Sequence, residues 1–387
     1  MKKYLFPILS HVLCALIAVV VTLIVVYTSM TNNQGKLMEL QNVLNQKYIG
    51  QIDWDSLEEA AAQAIIDALD DRWSYYMTAE EYLDHKDQAN NAFVGIGVTV
   101  VLRADGQGLD VTKVTPGGPA AAAGMLQGDI LVAVDGESVI GMSADLVRDK
   151  IRGEAGTKTV LTFLRNGTSY DTTVTRAYVQ VPVAADRMLE DNIGLITIEN
   201  FDSRCADETI AAIQSLQEQG AEKLIFDVRY NPGGFKSELV KLLDHLLPKG
   251  VIFRSEYYDG TVSTSNSDAN CVDMPIAVLI NGSTYSAAEY FAAALWEYEA
   301  AVLVGEQTVG KGYFQNVIEL KDGSAVSISI GKYYTPIQKI SLEDVGLIPD
   351  VIVEIKNSEI AQGIYYGTLD PMEDPQVLAA IAVLQGQ

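Results

Sequence analysis

Residues 5–27 run for 23 positions without an Asp, Glu, Lys or Arg and are mostly Leu, Ile, Val and Ala. A helix of that length crosses roughly 30 Å of hydrocarbon, and a stretch apolar on every side fits poorly as the one-sided face of a core helix. The run therefore reads as a transmembrane anchor, which with its short stub occupies residues 1–30. Lys2 and Lys3 precede it. Basic flanks favour the cytoplasmic side, so everything after Tyr27 is expected outside the cytoplasm, on a single-pass protein of the cell membrane. A cleaved leader is the rival reading, but Tyr-Thr-Ser-Met at 27–30 offers no small-x-small cleavage pattern.

The rest of the 387 residues exceeds what one core usually holds, so more than one domain is expected. A formal charge of −24 gives a surface that repels phosphate backbones, which argues against nucleic acid as a partner. Cys14 lies in the apolar run, leaving Cys205 and Cys271 as the one pair that can bridge outside a membrane. With no CxxC or HExxH, and only His85 and His245 beyond the run, no metal site is expected.

The texture of the chain changes twice. Within 31–90, residues 34–48 and 54–69 carry apolar side chains at helical spacing and read as two amphipathic helices. They pack on the rest or offer a stripe to a second copy in a homodimer. Residues 91–178 turn to short β-rich runs at 94–101, 109–114, 130–134, 160–165 and 170–174, with Asn166-Gly167 as a hairpin turn and one helix at 143–151. From 179 to 387, strands at 193–198, 223–228, 276–280 and 301–304 alternate with helices at 206–219, 236–247 and 286–295, and further strands follow at 325–330 and 350–354. That order implies an α/β layer structure. The fold class is thus α/β (α+β multidomain): an anchor, a helical region, a β module and a mixed α/β core.

The β module resembles a PDZ domain. Phe-Val-Gly-Ile-Gly-Val at 93–98 matches that family's carboxylate-binding loop and following strand. Thr-Pro-Gly-Gly-Pro-Ala at 115–120, Ala-Gly-Met at 123–125, Gly-Asp-Ile-Leu at 128–131 and Val-Asp-Gly at 134–136 match its turns. Around Val94, Gly95, Ile96 and Gly97, successive backbone N–H groups can converge on a terminal carboxylate while the next strand pairs with the peptide.

Chemistry points to two strand-to-helix turns. Asp-Val-Arg-Tyr-Asn-Pro-Gly-Gly at 227–234 exposes N–H donors suited to an oxyanion, although glycines also suit an ordinary turn. Asn-Gly-Ser-Thr-Tyr-Ser-Ala-Ala-Glu at 281–289 sets Ser283 and Ser286 at a helix start, where either can be a nucleophile or a plain N-cap. No G-x-S-x-G is present. His245 sits among Leu242, Leu243 and Leu246, with Asp244 on another face, which makes a Ser-His-Asp triad the poorer reading. The remaining base is a lysine whose pKa burial lowers. Lys311 and Lys332 both follow a glycine and look alike locally.

Together these segments resemble the carboxyl-terminal processing proteases, tail-specific serine proteases with a PDZ domain. Residues 227–234 are similar to that family's D-L-R-x-N-P-G-G, residues 281–289 to N-x-x-S-A-S-A-S-E, and residues 304–315 to V-G-E-x-T-x-G-K-G-x-x-Q. The separation 311 − 286 = 25 matches the family's nucleophile-to-lysine spacing, and the similarity spans 57–384. The resemblance implies a serine endopeptidase in which Ser286 attacks, Lys311 takes and returns the proton, and Gln315 orients the lysine. It implies an oxyanion hole from the N–H groups of Gly233 and Ala287, and no metal or organic cofactor. The implied partners are protein or peptide substrates whose free C-termini the PDZ module captures. The sequence departs from the pattern at Tyr285, where the family usually has a small residue. A catalytically silent PDZ scaffold is the alternative, against which the intact Ser286, Lys311 and Gln315 set argues.

Overall fold

The computed structural model describes residues 20–21 and 35–386. Apart from residues 20 and 21, the expected anchor lies outside the described residues, among which no helix is long and apolar enough to cross a membrane. The chain divides into two compact units, Met1–Ala62 and Gln63–Gln387. In the first, helix α1 (Lys36–Lys47) buries none of its residues. Helix α2 (Trp54–Asp67) spans the division and likewise has no buried residue.

The second unit opens with strand β1 (Tyr75–Met77) and helix α3 (Ala79–Ala89). A capping box starts α3: the Thr78 hydroxyl accepts from Glu81 N–H at 3.3 Å, and the Glu81 carboxylate accepts from Thr78 N–H at 2.8 Å. The single strand expected at 94–101 is broken in two. Gly97, at φ +77°, turns the chain between β2 (Ala92–Gly95) and β3 (Val98–Leu102). β2 leaves the module's sheet to pair with β9 (Ala177–Gln180).

The β module is an antiparallel sheet in the order β3, β4 (Leu109–Val114), β5 (Ile130–Val134), β7 (Lys158–Arg165), β8 (Thr168–Thr175), with β6 (Glu137–Ser138) on β5. The short α4 (Pro119–Ala122) and helix α5 (Ala144–Ile151) close it over Ile96, Leu109, Met125, Leu131, Val147 and Leu161. β3 is an edge strand and leaves one row of backbone groups unpaired.

The α/β core holds β10 (Ala184–Met188), β11 (Ile193–Ile198), β12 (Lys223–Asp227), β15 (Ile276–Ile280), β16 (Ala301–Gly305) and β19 (Val351–Ile352) in that spatial order. Only β10 runs antiparallel. Every residue of β15 is buried, as a parallel strand covered on both faces must be. One face packs on α6 (Cys205–Glu218), α7 (Lys236–Leu246) and α8 (Ala287–Glu297). The other is covered by α10 (Pro375–Gln385) through Val377, Ala380 and Leu384. Helix α8 is buried from Ala287 to Leu295, which its run of alanines permits by letting the sheet and α7 approach closely. Cys205 is buried, Cys271 exposed, and the two thiols are unpaired.

Among the elements not anticipated in the sequence are the hairpin β13 (Gly250–Tyr257) and β14 (Val262–Ser267), strand β17 (Tyr313–Glu319), helix α3, and α10 with the preceding α9 (Ser358–Tyr365). β18 (Ala325–Tyr334) joins β1, β13 and β17 into a second antiparallel sheet.

Candidate active site

The loops leaving β12, β15 and β16 all emerge at the carboxyl ends of parallel strands, where open α/β sheets form their binding crevices. The first two are laced together. Asn281 Oδ1 accepts from the N–H groups of Tyr230 at 3.0 Å and Ser283 at 3.1 Å, and the Thr284 hydroxyl donates to Val228 C=O at 2.9 Å. Asn231 Nδ2 ties the glycine loop to β11 by donating to Ile198 C=O at 2.7 Å.

Ser286 sits at the β15-to-α8 turn with φ +62° and ψ −125°, a conformation an L-residue holds only when its surroundings impose it. It is a sharp strand-to-helix turn of the kind that can expose a nucleophile, reached without a G-x-S-x-G sequence. The glycine pair makes room for it. A Cβ on Gly233 would lie 2.7 Å from Ser286 Cβ, and one on Gly234 would lie 2.3 Å from the Phe201 carbonyl carbon.

Glu289 holds the turn. Its fully buried carboxylate accepts from Ser286 N–H at 3.0 Å, the Thr308 hydroxyl at 2.5 Å, Gly310 N–H at 2.7 Å and Lys311 N–H at 2.9 Å. Burial raises its pKa, and these four donors oppose that rise. The motif at 281–289 contains this glutamate, but only the fold reveals that it bridges the serine turn and the lysine loop.

Ser286 and Lys311 line one cleft of about 550 Å³. Burial lowers the Lys311 amine to about 8, against the pull of Asp71, Glu343 and Glu289, which favour its charged form. Lys332 is exposed, and its pKa is raised by the Tyr313 hydroxyl. His245, on α7, is absent from the cleft lining, whereas His85 is part of it. Ser283 is exposed and also lies off the cleft.

The other expected residues are arranged as follows. Among the described residues no hydrogen bond joins Ser286 Oγ to Lys311 Nζ. Instead the Tyr333 hydroxyl donates to Lys311 C=O, and Tyr333 lines the same cleft as Ser286. Gln315 Nε2 donates to Ser329 Oγ at 3.0 Å, not to Lys311. Ser329 N–H continues the chain to Ser74 Oγ at 3.0 Å, and Ser74 to Asp71 at 2.6 Å. Ala287 N–H opens α8. Gly233 N–H is occupied by Asn231 Oδ1 at 2.8 Å, while Gly234 N–H has no partner among the described residues. At the β module, Ile96 C=O accepts from Ala120 N–H at 2.8 Å and Gly97 C=O from Thr115 N–H at 2.9 Å, so the loop is pinned by its carbonyls. Val94 and Gly95 belong to the β2–β9 ribbon.

Two titratable groups in the cleft escaped sequence reasoning. Burial lowers the pKa of His85 and pushes the Asp202 carboxyl up to about 7. Neither sits in a recognisable motif; α3 and the loop after β11 bring them in.

Family comparison matches residues 192–353 to peptidase family S41 and residues 111–165 to a PDZ domain. The chain is 35% identical over 303 residues to the carboxy-terminal processing protease CtpA of Bacillus subtilis (strain 168), which covers 78% of this chain and 65% of that protein. It is 29% identical over 382 residues to the carboxyl-terminal-processing protease of Synechocystis sp. (strain ATCC 27184 / PCC 6803 / Kazusa), covering 92% and 88%. The chain spans just under two thirds of the length of the Bacillus relative, 65%. An S41 protease structure from Bacteroides fragilis NCTC 9343 shares the fold, with a TM-score of 0.59 at 18% identity over 88% of this chain and 92% of that one.

Proposed function

We propose that this chain, whose residues 192–353 match peptidase family S41 and which is similar to carboxyl-terminal processing proteases, is a membrane-anchored extracytoplasmic endopeptidase using a Ser286–Lys311 mechanism. The observation that carries the reading is one cleft holding both a serine on a strained strand-to-helix turn and a lysine whose amine burial lowers to about 8.

In this reading Lys311, as the free amine, takes the Ser286 hydroxyl proton while Oγ bonds to the scissile carbonyl carbon. Ala287 N–H and the 233–234 turn stabilise the oxyanion. The Lys311 ammonium then gives its proton to the leaving amine as the C–N bond breaks. Water then gives a proton to the same amine and bonds to the acyl carbon, and the ammonium returns that proton to Ser286 Oγ as the C–Oγ bond breaks. Gln315 acts on the lysine side through Ser329 and Asp71. The β module captures the substrate C-terminus, its N–H-rich loop taking the carboxylate and the unpaired edge of β3 adding the peptide as a strand. The uncharged run at 5–27 anchors the whole at the membrane.

The unmade Ser286–Lys311 hydrogen bond and the occupied Gly233 N–H favour a second reading, a gated or silent PDZ scaffold. The test is cleavage of an unstructured protein with an apolar free C-terminus, compared with its C-terminal amide, by wild type, Ser286→Ala and Lys311→Ala. Cleavage by wild type alone, favouring the free acid, supports the protease. Carboxylate-dependent binding without cleavage supports the scaffold.

A further inference from the structure

The Lys311 ammonium rests on aromatic rings. Among the described residues it makes no ion pair and donates no side-chain hydrogen bond. Its Nζ lies 4.8 Å from the centre of the Trp73 ring and 5.8 Å from that of Tyr285. Those rings stack on each other at 6.4 Å with 18° between planes. An ammonium within about 6 Å of a ring face is attracted by the ring quadrupole, and more strongly where water is excluded.

Trp73 is fastened to the loop that carries the lysine. Its Nε1–H donates to Glu343 Oε1 at 3.1 Å, and the other oxygen of that carboxylate accepts from Gly312 N–H at 2.6 Å. Next to it, Arg72 donates to Gly310 C=O at 2.9 Å, and its guanidinium lies 4.3 Å from the Trp73 ring. Asp71 accepts from Trp73 N–H at 3.0 Å, fixing the turn on which the indole stands. Tyr285 directly precedes Ser286, so the second ring is fixed by the nucleophile's own turn. A segment more than two hundred residues upstream and the residue beside the serine thus converge on one amine.

We propose that Trp73 and Tyr285 form a two-ring seat for Lys311, clamped to the lysine loop through Glu343 and Arg72, and that this seat positions the amine relative to Ser286. The proposal rests on the Ser–Lys reading. Both residues are positioning residues, acting through Lys311. Because rings favour the ammonium over the free amine, the seat also raises the pH at which the base appears. Other groups bear on the same amine: Asp71, Glu343 and Glu289 as anions, Arg72 as a neighbouring cation, and the Tyr333 hydroxyl on the lysine carbonyl.

The test uses the full chain in detergent and follows the rate of Ser286 acylation by a fluorophosphonate probe from pH 6 to 10, with near-ultraviolet circular dichroism as the folding control. Trp73→Leu keeps an apolar group and removes the indole; its acid limb is expected to move down by about half to one pH unit. Tyr285→Leu is expected to move it less, in keeping with the longer distance, and Trp73→Phe to retain most of the wild-type position. A native Trp73→Leu protein with an unmoved or raised limb overturns the seat, as does a Trp73→Phe limb displaced as far as that of Trp73→Leu. If Trp73→Leu does not fold, the Tyr285→Leu limb decides by the same criterion. Lys311→Ala separates the two ideas: acylation at the wild-type rate with the wild-type limb removes the Ser–Lys reading itself, whereas a dead Lys311→Ala beside an unmoved Trp73→Leu limb removes only the seat.

Discussion

Glu289 and Lys311 show how burial and hydrogen bonding set opposite tasks for two ionisable residues beside the same serine turn. Glu289 spends its carboxylate on four donors from two loops. Glu289→Gln replaces one accepting oxygen with a donating NH₂ that faces those donors, and should cost about 1–3 kcal/mol in urea unfolding while lowering kcat by about a hundredfold through misplacement of Ser286 and Lys311. A variant with wild-type kcat would refute the bridging role. Lys311 is destabilising by the same logic. Its pKa falls from 10.5 to about 8, so the folded state bears the full cost of a buried ammonium below pH 8, and that cost fades as pH rises to 10.5. Lys311→Met should therefore stabilise the fold at pH 7 by on the order of 1–3 kcal/mol, with a smaller gain at pH 9.5, as thermal unfolding at the two pH values would read. On the proposed Ser–Lys reading, peptidase activity should rise with pH through the same region around 8.

At the scale of elements, the glycine turn after β12 is where backbone contact leaves no alternative. Gly234 is at φ +147° and presses on the backbone of residues 201–202. Gly234→Ala must push the loop after β11 and the glycine turn apart; a loss of about 3 kcal/mol or more and of most Ser286 acylation is expected, measured by denaturant midpoint and probe labelling. The motif at 227–234 was readable in the sequence, but which glycine N–H is free was not, because that depends on the side chain of Asn231 folding back onto Gly233. Likewise the β-rich texture of 94–101 was legible, while its break at Gly97 was not: a left-handed glycine reads the same as any other until the ribbon partner β9 is known.

At the scale of the whole molecule, the glycine turn is tied to the C-terminal helix. Arg229, buried, meets Asp227 at 2.5 Å, Asp374 at 2.8 Å and the Gln376 amide oxygen at 2.8 Å. Asp374 also caps α10 through Gln376 N–H at 2.9 Å. Asp374→Ala leaves a buried guanidinium short of one anion and a helix without its cap, so a loss of about 3–5 kcal/mol is expected, with activity falling in proportion to the unfolded fraction. Stability unchanged by the substitution would mean that α10 does not support the catalytic turn.

What the sequence by itself determined was local: the alternation of strands and helices and the glycine-rich turns, with Ser286 and Lys311 picked out only by the resemblance to a family that shares their 25-residue spacing. The alternation and the strand-to-helix turns reappear in the fold, because periodicity and turn chemistry act over a few residues. The tertiary structure alone decided which distant groups meet: Trp73 beneath Lys311, His85 and Asp202 in the cleft, Glu289 between two loops, Asp374 on Arg229. Such meetings depend on how strands are ordered in a sheet and which loops share its carboxyl edge, and no short window of sequence carries that order.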